Sequence, residues 1–261
     1  MPLVTATTDT LGITTITLSD AANLNAMSEE MAAEFKATII ALKKAASTHV
    51  IILTGAGKSF SAGGHLAMLD RKRALTPEEN QRGMRAFYDS FLSILTLNAP
   101  IIAALQGAAV GAGLCLACAA DIRIASDDAK LGFTFLKLGL HPGMGGTFLV
   151  PRVVGQTVAT ELLLTGRVIS AQEALTIGLV SRLSSREKLL DDARSIAREI
   201  LSCGPVARAQ LLETMRRDLA GLPAALEREA QCQGVNYASA EFAEGLAAIR
   251  EKRAPSFAKG Q

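Results

Sequence analysis

The 261-residue sequence lacks a charge imbalance, a cluster of metal-ligating residues and any long uninterrupted apolar run. The formal net charge is +2 and charged residues make up 20%, so bulk electrostatics supplies no nucleic-acid partner. The basic clusters Arg71-Lys72-Arg73 and Lys252-Arg253 are short. They read as solvated surface charge or, alternatively, as contacts to the phosphates of a nucleotide-like ligand. Only four cysteines occur, Cys115, Cys118, Cys203 and Cys232. Cys115 and Cys118 lie close together but have no second pair and no histidine cluster, so they read as buried thiols on one apolar helix and no metal is expected. Cysteine usage of this kind fits a reducing, cytoplasmic compartment. The segment from Met1 to Asp9 is polar and has no basic start followed by an apolar run, which argues against a signal peptide. The most apolar stretch, Ala99 to Ala120, is broken by Pro100, Gln106, Gly107, Gly111 and Gly113. It reads as strand, turn and buried helix rather than as a membrane span. Internal repeats, low-complexity tracts, a Gly-x-Gly-x-x-Gly after the first strand and a Walker-type Gly-Lys-Ser/Thr are all missing.

Apolar residues make up 49% of the chain, enough for one large α/β core or a core with a small appendage. Leu11 to Leu18, rich in Ile and Thr, reads as a strand. Ser28 caps a predicted helix with Glu29 and Glu30 in its first turn and Met31, Phe35, Ile39 and Leu42 on its apolar face. His49 to Thr54 is a β-branched run ended by Gly55-Ala-Gly57, so the opening is a strand-helix-strand crossover that gives parallel strands. The charged segment Asp70 to Gln81, carrying Pro77, reads as a mobile excursion before a helix from about Gly83 to Leu97. Strands follow at Ile101–Leu105 and Ile122–Ala125, with a helix between them from about Ala112. Ser170 and Glu173 have the form of a capping box. From about Arg186 to Arg253 the pattern is helical, with breaks at Gly204-Pro205 and Gly221-Leu-Pro223.

Two segments share one logic: a β-branched strand, a turn of very small residues, then an apolar run. They are Val50-Ile-Ile-Leu-Thr … Phe60-Ser-Ala-Gly-Gly64 and Ile101-Ile-Ala-Ala-Leu-Gln-Gly … Val110-Gly-Ala-Gly113. Such turns let backbone N–H groups face a ligand without intervening side chains. Two N–H groups converging on one oxygen make an oxyanion hole, and one such donor is worth about 3 to 4 kcal/mol in rate. Close packing of backbone against backbone would account for either turn alone.

Taken together and in order, these segments resemble the crotonase (enoyl-CoA hydratase/isomerase) superfamily. Asn23-Leu-Asn-Ala-Met-Ser28 is similar to the family's Asn-Ala-Leu/Met segment, and Phe60-Ser-Ala-Gly-Gly-His-Leu66 to its Phe-Ser-Ala-Gly-Gly-Asp-Leu. Gln106-Gly-Ala-Ala-Val-Gly-Ala-Gly113 resembles Asn-Gly-x-Ala-x-Gly-Gly-Gly, and Asp121-Ile-Arg-Ile-Ala125 resembles Asp-Ile-Arg-Ile-Ala. Leu138-Gly-Leu-His-Pro-Gly-Met-Gly-Gly-Thr147 resembles Leu-Gly-x-x-Pro-x-x-Gly-Gly-Thr. Thr165-Gly-Arg, Ala171-Gln-Glu-Ala174, Gly178-Leu-Val180, Glu244-Gly, Glu251-Lys-Arg and Pro255-x-Phe257 complete the match.

The resemblance implies an α/β fold, a spiral of ββα units over residues 1–200, with a C-terminal helical trimerisation module over 201–261. It implies an acyl-CoA thioester as ligand, with no cofactor beyond the coenzyme A of the substrate, and a homotrimer or dimer of trimers with no nucleic-acid or membrane partner. It carries the oxyanion hole onto the N–H groups of Ala62 and Ala112. Asn25, Ala26, Ala62, Gly64, His65 and Leu66 would line the adenine and pantetheine ends, and Phe257 and Lys259 would approach the coenzyme A of a neighbouring subunit.

The sequence also departs from the family. Hydratases resembling it carry two glutamates where this chain has Cys115 and Phe135, and other members place an acid at the positions of Gly143 or Met144. A phenyl ring cannot transfer a proton, and general acid/base catalysis contributes roughly 10² to 10⁴-fold. The expectation is therefore an isomerase, decarboxylase or other lyase that stabilises a thioester enolate, rather than an efficient hydratase; the alternative is a non-catalytic acyl-CoA-binding homologue. His141, in the loop where a family decarboxylase places a tyrosine, is the candidate acid, since histidine titrates near neutral pH. His65 caps or orients its loop. Cys115, Phe135 and Leu136 would shape the acyl pocket, Cys115 being either a buried apolar residue or a thiol nucleophile. The loop from Asp70 to Gln81 could bring in Asp70 or Glu78.

Overall fold

The computed structural model describes residues 1–45 and 47–257. Nine strands form two sheets: β1 (Val4–Thr8), β2 (Ile13–Leu18), β3 (Val50–Gly55), β4 (Ile101–Leu105), β5 (Ala108–Val110), β6 (Ile122–Ser126), β7 (Lys130–Gly132), β8 (Val168–Ser170) and β9 (Arg182–Ser184). Six strands lie in the order β1-β2-β3-β4-β6-β9 and three in the order β5-β7-β8. From β2 to β9 the large sheet is parallel. Successive strands alternate between the sheets, β4 to β5 and β6 to β7, so the chain winds as the expected ββα spiral.

The parallel sheet is buried on both faces, which explains why its strands are continuously apolar rather than alternating. Along β3, Val50 and Ile52 join Ile13, Ile102, Ala104 and Ile124 under the helix Leu189–Leu201. Ile51 and Leu53 point the other way, into the main core with Ile16, Leu18, Ala103 and Leu105. The helix Glu29–Ala45 makes the crossover between β2 and β3, and Ser28 Oγ accepts from Met31 N–H at its start. β1 was not anticipated, because only Val4 of its residues is buried; it is an antiparallel edge strand beside β2.

The segment read as a mobile excursion is largely helical. Leu66–Arg71 is a short helix, and Pro77–Leu92 is a long one that begins six residues before the expected start. The reason is local. Thr76 Oγ1 accepts from Glu79 N–H at 3.2 Å, and Glu79 Oε2 accepts from Thr76 N–H at 2.8 Å. This is a capping box with Pro77 at the first helical position, where proline's missing N–H has no consequence. Asn80, Met84, Phe87, Tyr88 and Phe91 form the buried face of this helix, which packs on Leu222–Tyr237.

The C-terminal helices are Leu189–Leu201, Pro205–Arg216, Leu222–Tyr237 and Ala240–Arg250. The last two share the main core through Leu222, Leu226, Ala230, Tyr237, Phe242 and Leu246. Pro205–Arg216 buries none of its residues. No helix among the described residues is long and apolar enough to cross a membrane. Replacing Thr76 with Ala should lower unfolding stability by about 0.5–2 kcal/mol, read by chemical denaturation, with the fold intact.

Candidate active site

The two glycine-rich turns meet. Phe60 N–H donates to Gln106 O, Ser61 N–H to Ala108 O at 3.1 Å, and Val110 N–H to Ser61 O at 3.0 Å, so the turns run side by side as a short parallel ladder. Buried side chains fix this register. Asn25, fully buried with φ +54°, donates to Ala56 O and Ser59 O and accepts from Asp20 N–H. Gln106 donates to Gly55 O and accepts from Thr54 Oγ1. Ser61 Oγ donates to Asn25 O and accepts from Gly63 N–H. Gly63 has φ +84°, and a Cβ there would lie 2.9 Å from Val110 O, so only glycine fits where the turns touch.

This register corrects one assignment. Ala62 N–H donates to Leu24 O at 2.9 Å and is not available to a ligand. On that turn it is Gly64 whose N–H has no backbone or side-chain acceptor among the described residues. Ala112 N–H, at the first position of the helix Ala112–Cys118, is likewise without an acceptor, as the first helical N–H groups are by construction. A Cβ on Gly63 would lie 3.7 Å from Ala112 N, so the two donor-bearing turns are in contact. Both border one cavity of about 180 Å³.

The rest of the cavity wall is apolar or neutral. Met84, Phe87, Phe135 and Leu140 form its apolar side. Its polar side chains are Tyr88, Thr134, Gln233 and Tyr237, and no Asp, Glu, His, Lys or Arg lines it among the described residues. Tyr88 and Tyr237 each donate to Gln233 Oε1, at 2.7 and 3.1 Å. Burial pushes both phenols well above the ordinary tyrosine range, so they stay neutral. The chain has only two tyrosines and both face this cavity. Sequence reasoning passed over them and Gln233 because each sits on the buried face of an amphipathic helix, where an aromatic residue signals core.

Among the predicted residues, Ala62, Gly64, Leu66, Ala112 and Phe135 line the cavity. His141 does not. Its ring is half-buried in a separate groove with Leu136, Lys137, Asn236 and Phe257, and its Nδ1 lies 2.7 Å from Pro142 O. Burial lowers its pKa, although the Pro142 contact opposes this. What His141 gives the cavity is its backbone carbonyl, which accepts from Gln233 Nε2 at 2.8 Å. Leu136 lies in that same groove, and Cys115 is fully buried and is not among the residues that line the cavity. Burial raises the Cys115 thiol far above its ordinary value, which argues against a nucleophile.

Asn25 uses its side chain on the turn itself, and neither it nor Ala26 lines the cavity. His65 precedes the helix Leu66–Arg71 without capping it by its side chain. Asp70 pairs with Arg250 at 2.7 Å, and Glu78 sits in the first turn of its helix; neither reaches the cavity. Lys72, grouped with surface charge, is buried and paired with Glu29 at 3.0 Å. Lys259 lies outside the described residues.

One buried carboxylate escaped notice. Glu229 is fully buried and accepts from Gly145 N–H, Thr147 N–H and Thr147 Oγ1. It holds the loop that contains Met144, buried with φ +60°. Burial raises its pKa against the opposing effect of these donors. Replacing Glu229 with Gln leaves one acceptor oxygen for three donors and should destabilise the protein by about 1–3 kcal/mol, read as a lowered melting temperature.

Comparison with known proteins accords with this architecture. A family model for enoyl-CoA hydratase/isomerase matches residues 8–260. A probable enoyl-CoA hydratase of Mycobacterium bovis is 37% identical, over 94% of this chain and 89% of that protein. A crotonyl-CoA hydratase of Syntrophomonas wolfei is 36% identical, over 90% of each chain. The crystal structure of an enoyl-CoA hydratase/isomerase from Pseudoalteromonas atlantica superposes with a TM-score of 0.85 at 29% identity, covering 98% of this chain and 100% of that one. With its two-sheet spiral and its paired glycine-rich turns, the chain belongs to the enoyl-CoA hydratase/isomerase family, within the crotonase superfamily.

Proposed function

We propose that this chain is an enzyme that binds an acyl-coenzyme A thioester at the cavity between the two turns and stabilises the thioester enolate on the N–H groups of Gly64 and Ala112. The observation that carries this reading is the pair of acceptor-free N–H groups on two turns that are hydrogen-bonded to each other at the edge of one cavity. Donors fixed by the fold need no reorganisation when charge develops on the thioester oxygen. Coenzyme A enters only as part of the substrate. Leu66, on the exposed rim, and the turn Ala62 to Leu66 are the surfaces offered to its pantetheine arm.

Of the isomerase, decarboxylase and other lyase readings, the lining suits best a decarboxylation, in which the substrate supplies its own electrons, and it disfavours an efficient hydratase; an isomerase would need a proton carrier from outside this lining. Hydration needs a group that activates water, and no carboxylate or imidazole lines the cavity among the described residues. The same lining supports a second reading, a binding protein that kept the fold without turnover. Turnover of a panel of crotonyl-, 3-enoyl-, methylmalonyl- and aryl-acyl-CoA, followed by mass detection, separates these readings. Ala112→Pro removes one donor at a helical position that accepts proline. Whatever turnover the panel reveals should fall about 10² to 10³-fold in that variant. Full turnover in a folded Ala112→Pro protein would overturn the oxyanion assignment.

Assembly as a homotrimer or dimer of trimers belongs to the same proposal. The helix Pro205–Arg216 buries none of its residues and leaves Val206, Leu211 and Met215 exposed at 70, 63 and 69%. Three large apolar side chains on one helix are a surface suited to a partner subunit. Leu211→Glu should shift the sedimentation coefficient toward that of a monomer; an unchanged value would remove this helix from the interface. A cytoplasmic location is supported by four free thiols.

A further inference from the structure

Position 143 carries glycine, and the space a side chain would enter there is already taken. A Cβ on Gly143 would lie 2.4 Å from Tyr88 Oη and 2.8 Å from Gln233 Nε2. Tyr88 comes from the helix Pro77–Leu92, far away in sequence, and its hydroxyl occupies the spot on the cavity wall that the loop itself leaves empty.

The hydrogen bonds around this hydroxyl have a defined direction. Gln233 Nε2 is fixed on His141 O at 2.8 Å, which turns Gln233 Oε1 toward the two phenols. Oε1 has no hydrogen, so Tyr88 and Tyr237 both donate to it. His141 N–H in turn donates to Asn236 Oδ1 at 2.8 Å, so the loop cannot rotate without breaking a second bond to the same helix. With its phenolic proton directed at Gln233, Tyr88 itself offers a ligand lone pairs, whereas Gln233 Nε2 keeps one hydrogen that His141 O does not take and Tyr237 Oη also lies 3.4 Å from Met84 Sδ. At Tyr88, on a wall that also carries Met84, Phe87, Thr134, Phe135 and Leu140, such an acceptor complements a hydroxyl group rather than a carbonyl. A carbonyl or carboxylate oxygen would face the Tyr88 lone pairs unless the Tyr88–Gln233 bond broke. The volume of about 180 Å³ suits a short acyl group.

We propose that Tyr88, held by Gln233, is a specificity-determining residue that accepts a hydrogen bond from a hydroxyl on a short acyl group bound at this cavity. This rests on the acyl-CoA reading given above and adds to it the polar character of the acyl group and the residue that reads it. The role is recognition: the phenol stays a neutral acceptor and no covalent or proton-transfer step is assigned to it.

Three thioesters of equal chain length test the assignment: 3-hydroxybutyryl-CoA, acetoacetyl-CoA and butyryl-CoA, with an O–H donor, only an acceptor, and neither at the third carbon. Calorimetric Kd values are measured on the full chain. The expected result is that 3-hydroxybutyryl-CoA binds about tenfold more tightly than either of the others, the worth of one well-formed hydrogen bond. Tyr88→Phe should erase that preference while changing the Kd of butyryl-CoA less than about threefold. A merely structural role for Tyr88 would weaken all three esters alike. Gly143→Ala is the second variant, since its methyl group would displace the same hydroxyl, and it should erase the preference too. If the esters bind without discrimination, if acetoacetyl-CoA binds as well as the hydroxy ester, or if Tyr88→Phe keeps the preference, the assignment is overturned and the acyl-CoA reading stands. If none of the three binds, the acyl-CoA reading itself fails, and this assignment with it.

Discussion

The short ladder between Ser61 and the segment Ala108–Val110 is the constraint on which the rest of the site depends. Neither turn is wide enough to hold a ligand, and each alone would be a way of letting two stretches of backbone pack closely. Joined, they bring Gly64 and Ala112 to the edge of one cavity with their N–H groups free of acceptors. The side chains of Asn25 and Gln106 keep them joined by making hydrogen bonds to the carbonyls of the first turn and its strand, which would otherwise be buried and unpaired. Asn25 therefore belongs to the architecture of the site rather than to its ligand-facing surface.

A second network sets the chemistry of the cavity wall. Gln233 ties together Tyr88, Tyr237 and the carbonyl of His141, and Asn236 holds the N–H of His141. Glu229, one turn earlier on the same helix, holds the N–H groups of Gly145 and Thr147. One face of the helix Leu222–Tyr237 thus carries three side chains, Glu229, Gln233 and Asn236, that fix the loop from Leu140 to Thr147. The resulting wall is neutral, because its hydroxyls are buried and its one nearby carboxylate is directed at backbone donors away from the cavity. A neutral wall leaves the field of the two N–H groups on a developing negative oxygen unopposed by any charged side chain of the wall.

Much of this was legible in the chain. The β-branched runs at Val50–Leu53 and Ile101–Leu105, the Ser28 cap and the breaks at Gly204 and Gly221 gave the elements. The ordered glycine motifs gave the family and the two turns. The helix from Pro77 was misread because Pro77 and the surrounding charge look like a loop, although Thr76 and Glu79 carry the capping-box signature three residues apart.

The spiral came with the family resemblance, while what the sequence determined by itself was the main parallel strands, most of the helices and the two glycine-rich turns. These follow from short-range physics: side-chain periodicity, backbone freedom at glycine and the capping of helix ends. What only the tertiary structure decided was which groups reach the cavity. Ala62 and Gly64 differ in role solely because Leu24, distant in sequence, takes the N–H of one and leaves the other. His141 and Tyr88 exchange their expected places because the loop turns the imidazole outward while a helix from elsewhere in the chain brings a phenol in. Side-chain direction across packed elements depends on how those elements meet, and no local pattern in the chain encodes it.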